Sequence, residues 1–273
     1  AKDNQFESID EVRLVQGAEL DLLFGEDANL NGVLDRNEND ADATPPSDNR
    51  DGRLDSGIFE YITVYSREGT LQSDGSAKIN VAAGNQQAVQ TVLQQELSAS
   101  RATTIVSSVY AGGAQINSLL QFFDRSRMTA EEFAKVEKYL MVGDRPVEGL
   151  INVNTASEAV LACIPGIGLE KASTVAAYRQ GNSDKLQTVA WLKDVLDQPG
   201  LIEAGPFVTT HSYQFTADIC AVGHHGRGFQ RVKFVIDTSE GTPQIRFRQD
   251  LSDLGWPLGQ TVRTQLLARK EGR

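Results

Sequence analysis

The chain has 273 residues, 40% of them apolar and 24 of them glycine, a composition that excludes disordered, collagen-like and coiled-coil classes. Its length allows one large domain or two modest ones, with cores that need neither disulfides nor metals. Lys and Arg total 26 against 37 Asp and Glu, so the net charge is −11 and the pI about 4.8, the wrong sign for a protein that tracks phosphate backbones.

The acidity is local: residues 21–60 hold eleven acidic and three basic residues. Two cysteines, Cys163 and Cys220, form neither a disulfide framework nor a metal-ligand spacing; such a pair is either one disulfide or two buried thiols, and buried thiols are expected. No run is long enough to span a bilayer. Ala1-Lys-Asp-Asn-Gln5 is neither a signal peptide nor a natural start, so further chain is expected upstream.

In chain order, Phe6 to Gly17 reads as a short helix, with Ser8 and Glu11 as a capping box, Gly17 as its stop, and Ile9, Val12 and Val15 on one face. Residues 25–57 carry glycine, asparagine and Pro45-Pro46 without an apolar period, which predicts a long loop. Ile58 to Ser66 and Lys78 to Val81 read as two short strands joined through Ser73-Asp-Gly75, a strand pair within 58–81. From Gln86 to about Glu170 the apolar spacing is helical, through Val89, Val92, Leu93, Ile105, Val109, Leu120, Phe123, Phe133 and Val136.

The sequence also echoes itself. Ile79-Asn-Val81 ahead of a helix resembles Ile151-Asn-Val153 ahead of another, and Phe6–Val15 aligns with Leu186–Val195, as expected if helical units are used more than once. After Pro206, Ser212–Cys220, Gln230–Ile236 and Gln244–Arg248 alternate apolar and polar residues, predicting a three-stranded antiparallel meander. The fold class expected is α+β. A helical domain over 1–205 contains the acidic loop at 25–57, the strand pair at 58–81 and a helix-hairpin-helix-like unit at 151–180; a meander over 206–250 follows, then a C-terminal tail at 251–273 whose basic end from Ala268 is expected to fray.

The acidic loop carries the sharpest chemistry. Asp27-Ala-Asn-Leu-Asn-Gly-Val-Leu-Asp-Arg-Asn-Glu38 puts oxygen donors at the positions of an EF-hand-type calcium loop: Asp27, Asn29, Asn31, the Val33 carbonyl, Asp35 and Glu38, with Gly32 at the sharp turn. Asn49, Asp51 and Asp55 match the same template incompletely, because Ser47 and Ile58 fall at its first and last positions; they form a possible second site, or a turn rich in Asx residues. Calcium here is expected to be structural.

Leu161-Ala-Cys-Ile-Pro-Gly-Ile-Gly-Leu-Glu-Lys-Ala172 has the signature of a helix, a tight hairpin at Gly166 and Gly168, and a second helix. Such a hairpin can offer its amides to a phosphate with Lys171 and Arg179 assisting, although Glu170 and the net charge oppose this. Catalysis finds little support: His211, His224 and His225 are the only histidines, and Ser, Cys and His show no nucleophile-elbow or other local signature. The chain is therefore expected not to be an enzyme.

The segment leading from Phe6 to Gly17, the calcium-type loop at Asp27–Glu38, the Tyr61-Ile-Thr-Val-Tyr-Ser66 stretch, Ile151-Asn-Val-Asn-Thr-Ala156 and the terminal strands, in this order, resemble the minor pseudopilin K family of type II secretion over nearly the whole chain. The resemblance implies a non-catalytic subunit at the tip of the periplasmic pseudopilus, joined to minor pseudopilins I and J and other type II secretion components. It implies a large helical domain inserted in a pilin-like fold, part of which lies upstream, and an inner-membrane anchor upstream of Ala1. Nucleic acid is not an expected partner. The alternatives are a DNA-binding helix-hairpin-helix protein, which salt-sensitive duplex binding would reveal, and a metal-dependent hydrolase, which would need an open ligand position, whereas the loop template leaves room for only one water, as in ordinary calcium loops.

Overall fold

The structure is a computed structural model and describes residues 4–82, 85–113, 115–223 and 228–268. Its contacts divide the chain into two units: unit 1 comprises Ala1–Val64, Phe215–Asp237 and Gln244–Arg273, and unit 2 comprises Tyr65–Gln214 and Thr238–Pro243. The α+β class holds: the chain has helices and a three-stranded antiparallel sheet. The division differs from the boundary at 205 expected from the sequence, because residues 1–64 group with the terminal sheet. They bury little among themselves: the 3-10 helix Ile9–Leu14 buries no residue, and α1 (Leu20–Phe24) buries only Leu23. Ser8 makes no side-chain cap to that first helix.

Unit 2 holds the large apolar core, running from Val81 to Val208. Its first part is β1 (Ile79–Asn80), α2 (Gln86–Glu96), α3 (Ala99–Val109), α4 (Leu119–Ser126), α5 (Ala130–Val136) and β2 (Leu140–Met141). The caps are local: the hydroxyls of Ser98, Ser118 and Thr129 accept the N–H three residues on, and Glu132 returns the bond to the Thr129 N–H at 3.0 Å. Each helix then turns its spaced apolar residues inward, Val89 and Leu93 on α2, Ile105 and Val109 on α3, Leu120 and Phe123 on α4, and Phe133 and Val136 on α5.

The second part is β3 (Ile151–Asn152), α6 (Glu158–Ala162), α7 (Gly168–Gly181), α8 (Gln198–Ala204) and β4 (Val208–Thr209). The two Ile-Asn-Val stretches have matching surroundings. β1 pairs in parallel with β2 and β3 in parallel with β4. The Val81 N–H donates to the Met141 carbonyl and the Val153 N–H to the Thr209 carbonyl, both at 2.9 Å, and both valines are fully buried. Each asparagine Oδ1 accepts the N–H two residues on, at 2.8 Å for Asn80 and 2.9 Å for Asn152. The other echo does not extend to packing: the 3-10 helix Val189–Asp194 buries four residues where Ile9–Leu14 buries none.

The strand pair expected within 58–81 does not form. Ile58–Glu60 is a 3-10 turn, and Ile79–Asn80 takes Leu140–Met141 as its partner. The Ser73-Asp-Gly75 turn is present, closing an isolated Leu71–Ala77 bridge. Alternation marks an extended segment but not its mate.

In unit 1 the meander appears as expected: β5 (Gln214–Val222), whose first residue belongs to unit 2, β6 (Phe229–Asp237) and β7 (Gln244–Asp250), in the order β5-β6-β7. His224 and His225 lie outside the described residues. In the tail, α9 (Gly259–Ala268) follows a 3-10 turn at Ser252–Leu254, and the basic end after Ala268 lies outside the described residues. Trp256 is buried edge-to-face with Phe229, their centroids 5.6 Å apart.

Candidate metal centre

The acidic loop is closed at its neck by backbone contact. Gly25 and Ser56 form an antiparallel bridge, and a Cβ on Gly25, at φ +57°, would lie 2.0 Å from the Asp55 carbonyl oxygen. A Cβ on Gly57 would lie 2.3 Å from the Leu23 carbonyl oxygen. Only glycine permits strands of chain this close. Within the neck, Glu26 is 6% exposed and accepts the N–H groups of Asn49 and Asp55 at 3.2 and 3.1 Å, so one carboxylate ties the two halves of the loop together. No spacing in the sequence singles out Glu26 for this.

The predicted ligands converge on one turn. Asp27 accepts the N–H groups of Asn31 and Gly32 at 3.0 and 2.9 Å, and Gly32 takes φ +67° as the template requires. Asp35 and Glu38 form a capping box on the short 3-10 helix Arg36–Glu38, with the Asp35 N–H donating to Glu38 Oε2 at 2.9 Å. Asn29 and Asn31 donate their amide nitrogens to Asp35 Oδ2 at 3.0 and 3.1 Å. Val33 stands at the rim, against the start of α9.

Three carboxylates in this turn are nearly out of water: Asp27 at 7%, Asp35 at 8% and Glu38 at 1% exposure. Two of the turn's oxygens, Asn29 Oδ1 and Glu38 Oε1, are buried and accept no hydrogen bond. Burial pushes the Glu38 carboxyl up. The Asp35 N–H pulls it down, and the neighbouring Asp27 and Asp35 charges add to the rise; the Ala28 N–H, committed to the Glu26 carbonyl at 2.9 Å, exerts only a smaller downward pull. Each orphaned buried acceptor costs about 1–3 kcal/mol. A divalent cation among these oxygens would satisfy them and offset the like charges together, so the donor set fits calcium. Among the described residues, no three His, Cys, Asp or Glu side chains are gathered so as to hold a metal by themselves. The EF-hand-type template completes its shell with amide and carbonyl oxygens.

Two unit 1 elements brace the turn from outside. Arg231 on β6 is fully buried, donates to both oxygens of Asp218, and reaches the carbonyls of Asn29 and Leu30 at 2.9 and 2.6 Å. Leu30 is held there at φ +53°. The Gln260 N–H in the first turn of α9 donates to Asp35 Oδ1 at 3.0 Å. Neither partner was visible in the sequence, since Arg231 reads as one more polar residue of an alternating strand.

The possible second site is a set of Asx turns. Asn49 Oδ1 accepts the Asp51 N–H at 2.8 Å, Asp51 accepts the Arg53 N–H at 2.7 Å, and Asn49 donates to Asp55 at 3.0 Å. Asp51 is turned into its own local bond while Asn49 and Asp55 meet each other.

The hairpin motif lies between α6 and α7. A Cβ on Gly166, at φ +79°, would sit 2.4 Å from the Gly200 carbonyl oxygen, whereas Gly168, at φ +60°, faces open space. Lys171 donates to Asp197 at 2.8 Å, and that ammonium holds the Asp197 carboxyl low; Asp197 also caps α8. Arg179 donates to the carbonyls of Val153 and Ala156 at 2.9 and 2.7 Å. Both cations that a phosphate-binding hairpin would present are engaged inside unit 2. Cys163 and Cys220 are free; Cys163, the residue that caps the C-terminal end of α6, is exposed, contrary to the expectation of buried thiols.

Sequence reasoning missed a cluster of ionisable groups in unit 2, where Glu68, Lys78, Glu137, His211 and Tyr213 line one cavity. The acids and the lysine sit in segments whose patterns mark them only as surface positions. The chain matches no family model, no curated protein and no solved structure.

Proposed function

We propose that the chain is a non-catalytic minor pseudopilin of type II secretion, standing at the tip of the periplasmic pseudopilus with minor pseudopilins I and J. On this reading it is anchored in the inner membrane by a helix upstream of Ala1. The observation that carries the proposal is the sequence arrangement of the units: helical residues 65–214 interrupt a unit whose later part is an antiparallel sheet. That is the arrangement expected of a helical domain inserted in a pilin-like fold. The matching surroundings of Ile79–Val81 and Ile151–Val153 support a duplication within the helical insert.

Calcium is part of the proposal, held by Asp27, Asn29, Asn31, the Val33 carbonyl, Asp35 and Glu38. The ion supplies charge neutralisation and fastens the loop; it takes no part in a reaction. The orphaned Asn29 and Glu38 oxygens support this. Two measurements test the two parts separately. Chelation should lower the melting temperature and open residues 25–57 to protease, with Asp27→Ala copying the effect; a chelator-insensitive melt removes the calcium. Co-purification with the I and J subunits tests the tip role, and failure to form that complex removes it.

A further inference from the structure

We propose that the cavity in unit 2 binds a small amphipathic cation, an apolar body carrying one ammonium nitrogen, which the Glu68 and Glu137 carboxylates receive. The inference does not depend on the pseudopilin reading. The cavity has a volume of about 620 Å3, within the range of small-molecule sites and too small for a folded partner. Most of its wall is apolar, from Leu119, Leu140, Val142, Val147, Val189 and Val208.

The sign of the ligand follows from the charges on that wall. Glu137 comes from the turn that follows α5 and is 6% exposed. Glu68 comes from the segment before the Leu71–Ala77 bridge, and Lys78 from the residue before β1. The strand-end segment after β4 contributes His211 and Tyr213; Asp74 and Lys138, both exposed, are also on the lining. Lys78 turns to Tyr213, with its Nζ 3.5 Å from the hydroxyl and 5.8 Å from the ring centroid. Inside, therefore, two carboxylates face one ammonium. One carboxylate balances Lys78, and the second carboxyl has no counter-charge in a largely apolar wall, where an uncompensated charge is costly, so it either keeps its proton or receives a cation. An anionic ligand would keep the second carboxyl from ionising, while a cationic nitrogen would supply the counter-charge that it lacks.

Protonation fits this geometry. Burial pushes the Glu137 carboxyl up to about 8, against the Val189 N–H, with the Glu68 charge adding to the rise and Lys78 opposing it. Burial also raises Glu68, opposed by the Thr209 hydroxyl and Lys78, and lowers Lys78. With no ligand, Glu137 holds a proton at neutral pH. A bound ammonium stabilises the carboxylate, so the proton leaves to solvent as the cation arrives, and affinity for the cation rises with pH through this range.

The test uses the whole chain and three probes that share one body: 4-phenylbutylammonium, 4-phenylbutanol and 4-phenylbutyrate, titrated by calorimetry at pH 6.5 and 8.5. The ammonium should bind about tenfold more tightly than the alcohol at pH 8.5, as one charge-assisted hydrogen bond would give. Its advantage should shrink at pH 6.5, and binding there should release protons, seen as a dependence on buffer ionisation heat. Glu137→Gln, a neutral isostere, should bring ammonium and alcohol close to parity while leaving alcohol binding in place. The alcohol is thus a control for an intact cavity. Equal binding of all three probes, preference for the butyrate, no binding by any, or an ammonium preference that survives both Glu137→Gln and Glu68→Gln would each overturn the proposal.

Discussion

Replacing Arg231 with leucine tests whether one buried guanidinium fastens the acidic loop to the sheet. Arg231 is fully buried, whereas the side chain of its partner Asp218 is 35% exposed. Removing one member of a fully buried pair costs about 3–5 kcal/mol. Asp218 can regain water, however, which brings the ion-pair share down toward the ~1 kcal/mol of surface pairs. The Asn29 and Leu30 carbonyls each lose a bond from a charged donor, at about 1.5–3 kcal/mol apiece. The leucine returns roughly 1.5–3 kcal/mol of apolar burial, leaving a net loss of about 3 kcal/mol. The two tryptophans divide between the units, Trp256 in unit 1 and Trp191 in unit 2, so guanidinium unfolding of a Trp191→Phe chain reads unit 1 through Trp256. Arg231→Leu should move that transition to lower denaturant, and Arg231→Lys should fall between, since an ammonium cannot reproduce the planar fork. A Trp256 transition that stays within about 0.5 kcal/mol of the parent would refute the bracing role.

Glu137 predicts a pH dependence in unit 2. Its folded pKa of about 8 lies above the ordinary 4.5, so the unfolded chain releases a proton that the folded chain keeps. Stability is then fully present below about pH 4.5 and declines as pH rises toward 8, by up to roughly 1.4 kcal/mol per unit. Glu137→Gln should flatten that decline when melts at pH 5 and pH 8 are followed through Trp191; an unchanged slope would show that the carboxyl is not the source. At the loop neck, Gly25→Ala places a Cβ against the Asp55 carbonyl at positive φ and should cost about 2 kcal/mol or more. Limited proteolysis should then cut within 25–57, while Gly32→Ala, also at positive φ but with open space around it, should be milder.

What the sequence discloses divides by the range of the interaction. The faces of α2 to α5 were legible because each helix repeats its apolar residues locally, and Val89, Ile105, Leu120 and Phe133 are all buried as the spacing requires. The Asp27–Glu38 turn was legible for the same reason, since its geometry closes within twelve positions. The partner of Ile79–Asn80 was not, because parallel pairing with Leu140–Met141 depends on the helices that lie between them. Arg231 and Gln260 could not be assigned to the loop, as their bonds cross 202 and 225 positions. Glu137 escaped because an acidic residue beside Lys138 on a helical pattern reads as solvated; its burial depends on how the following turn meets Val189. The unit boundary at 65 was not legible, and 205 was expected instead, for a related reason: residues 1–64 offer short elements whose partners are encoded near the other end of the chain.

The two ends of unit 2 meet. The Arg67 N–H donates to the Gln214 side-chain oxygen at 3.0 Å, across 147 positions. To the remainder of unit 1, a folded segment 65–214 is therefore no longer than a tight turn. If the same segment were unfolded, closing it would cost about 4 kcal/mol in loop entropy, and Arg231 would have to find Asn29 across a floppy tether. Folding of the helical insert thus lowers the barrier to completing the unit that it interrupts. Damage deep in the insert, far from any acidic residue of the loop, would weaken the loop through the freedom restored to the chain rather than through any lost contact.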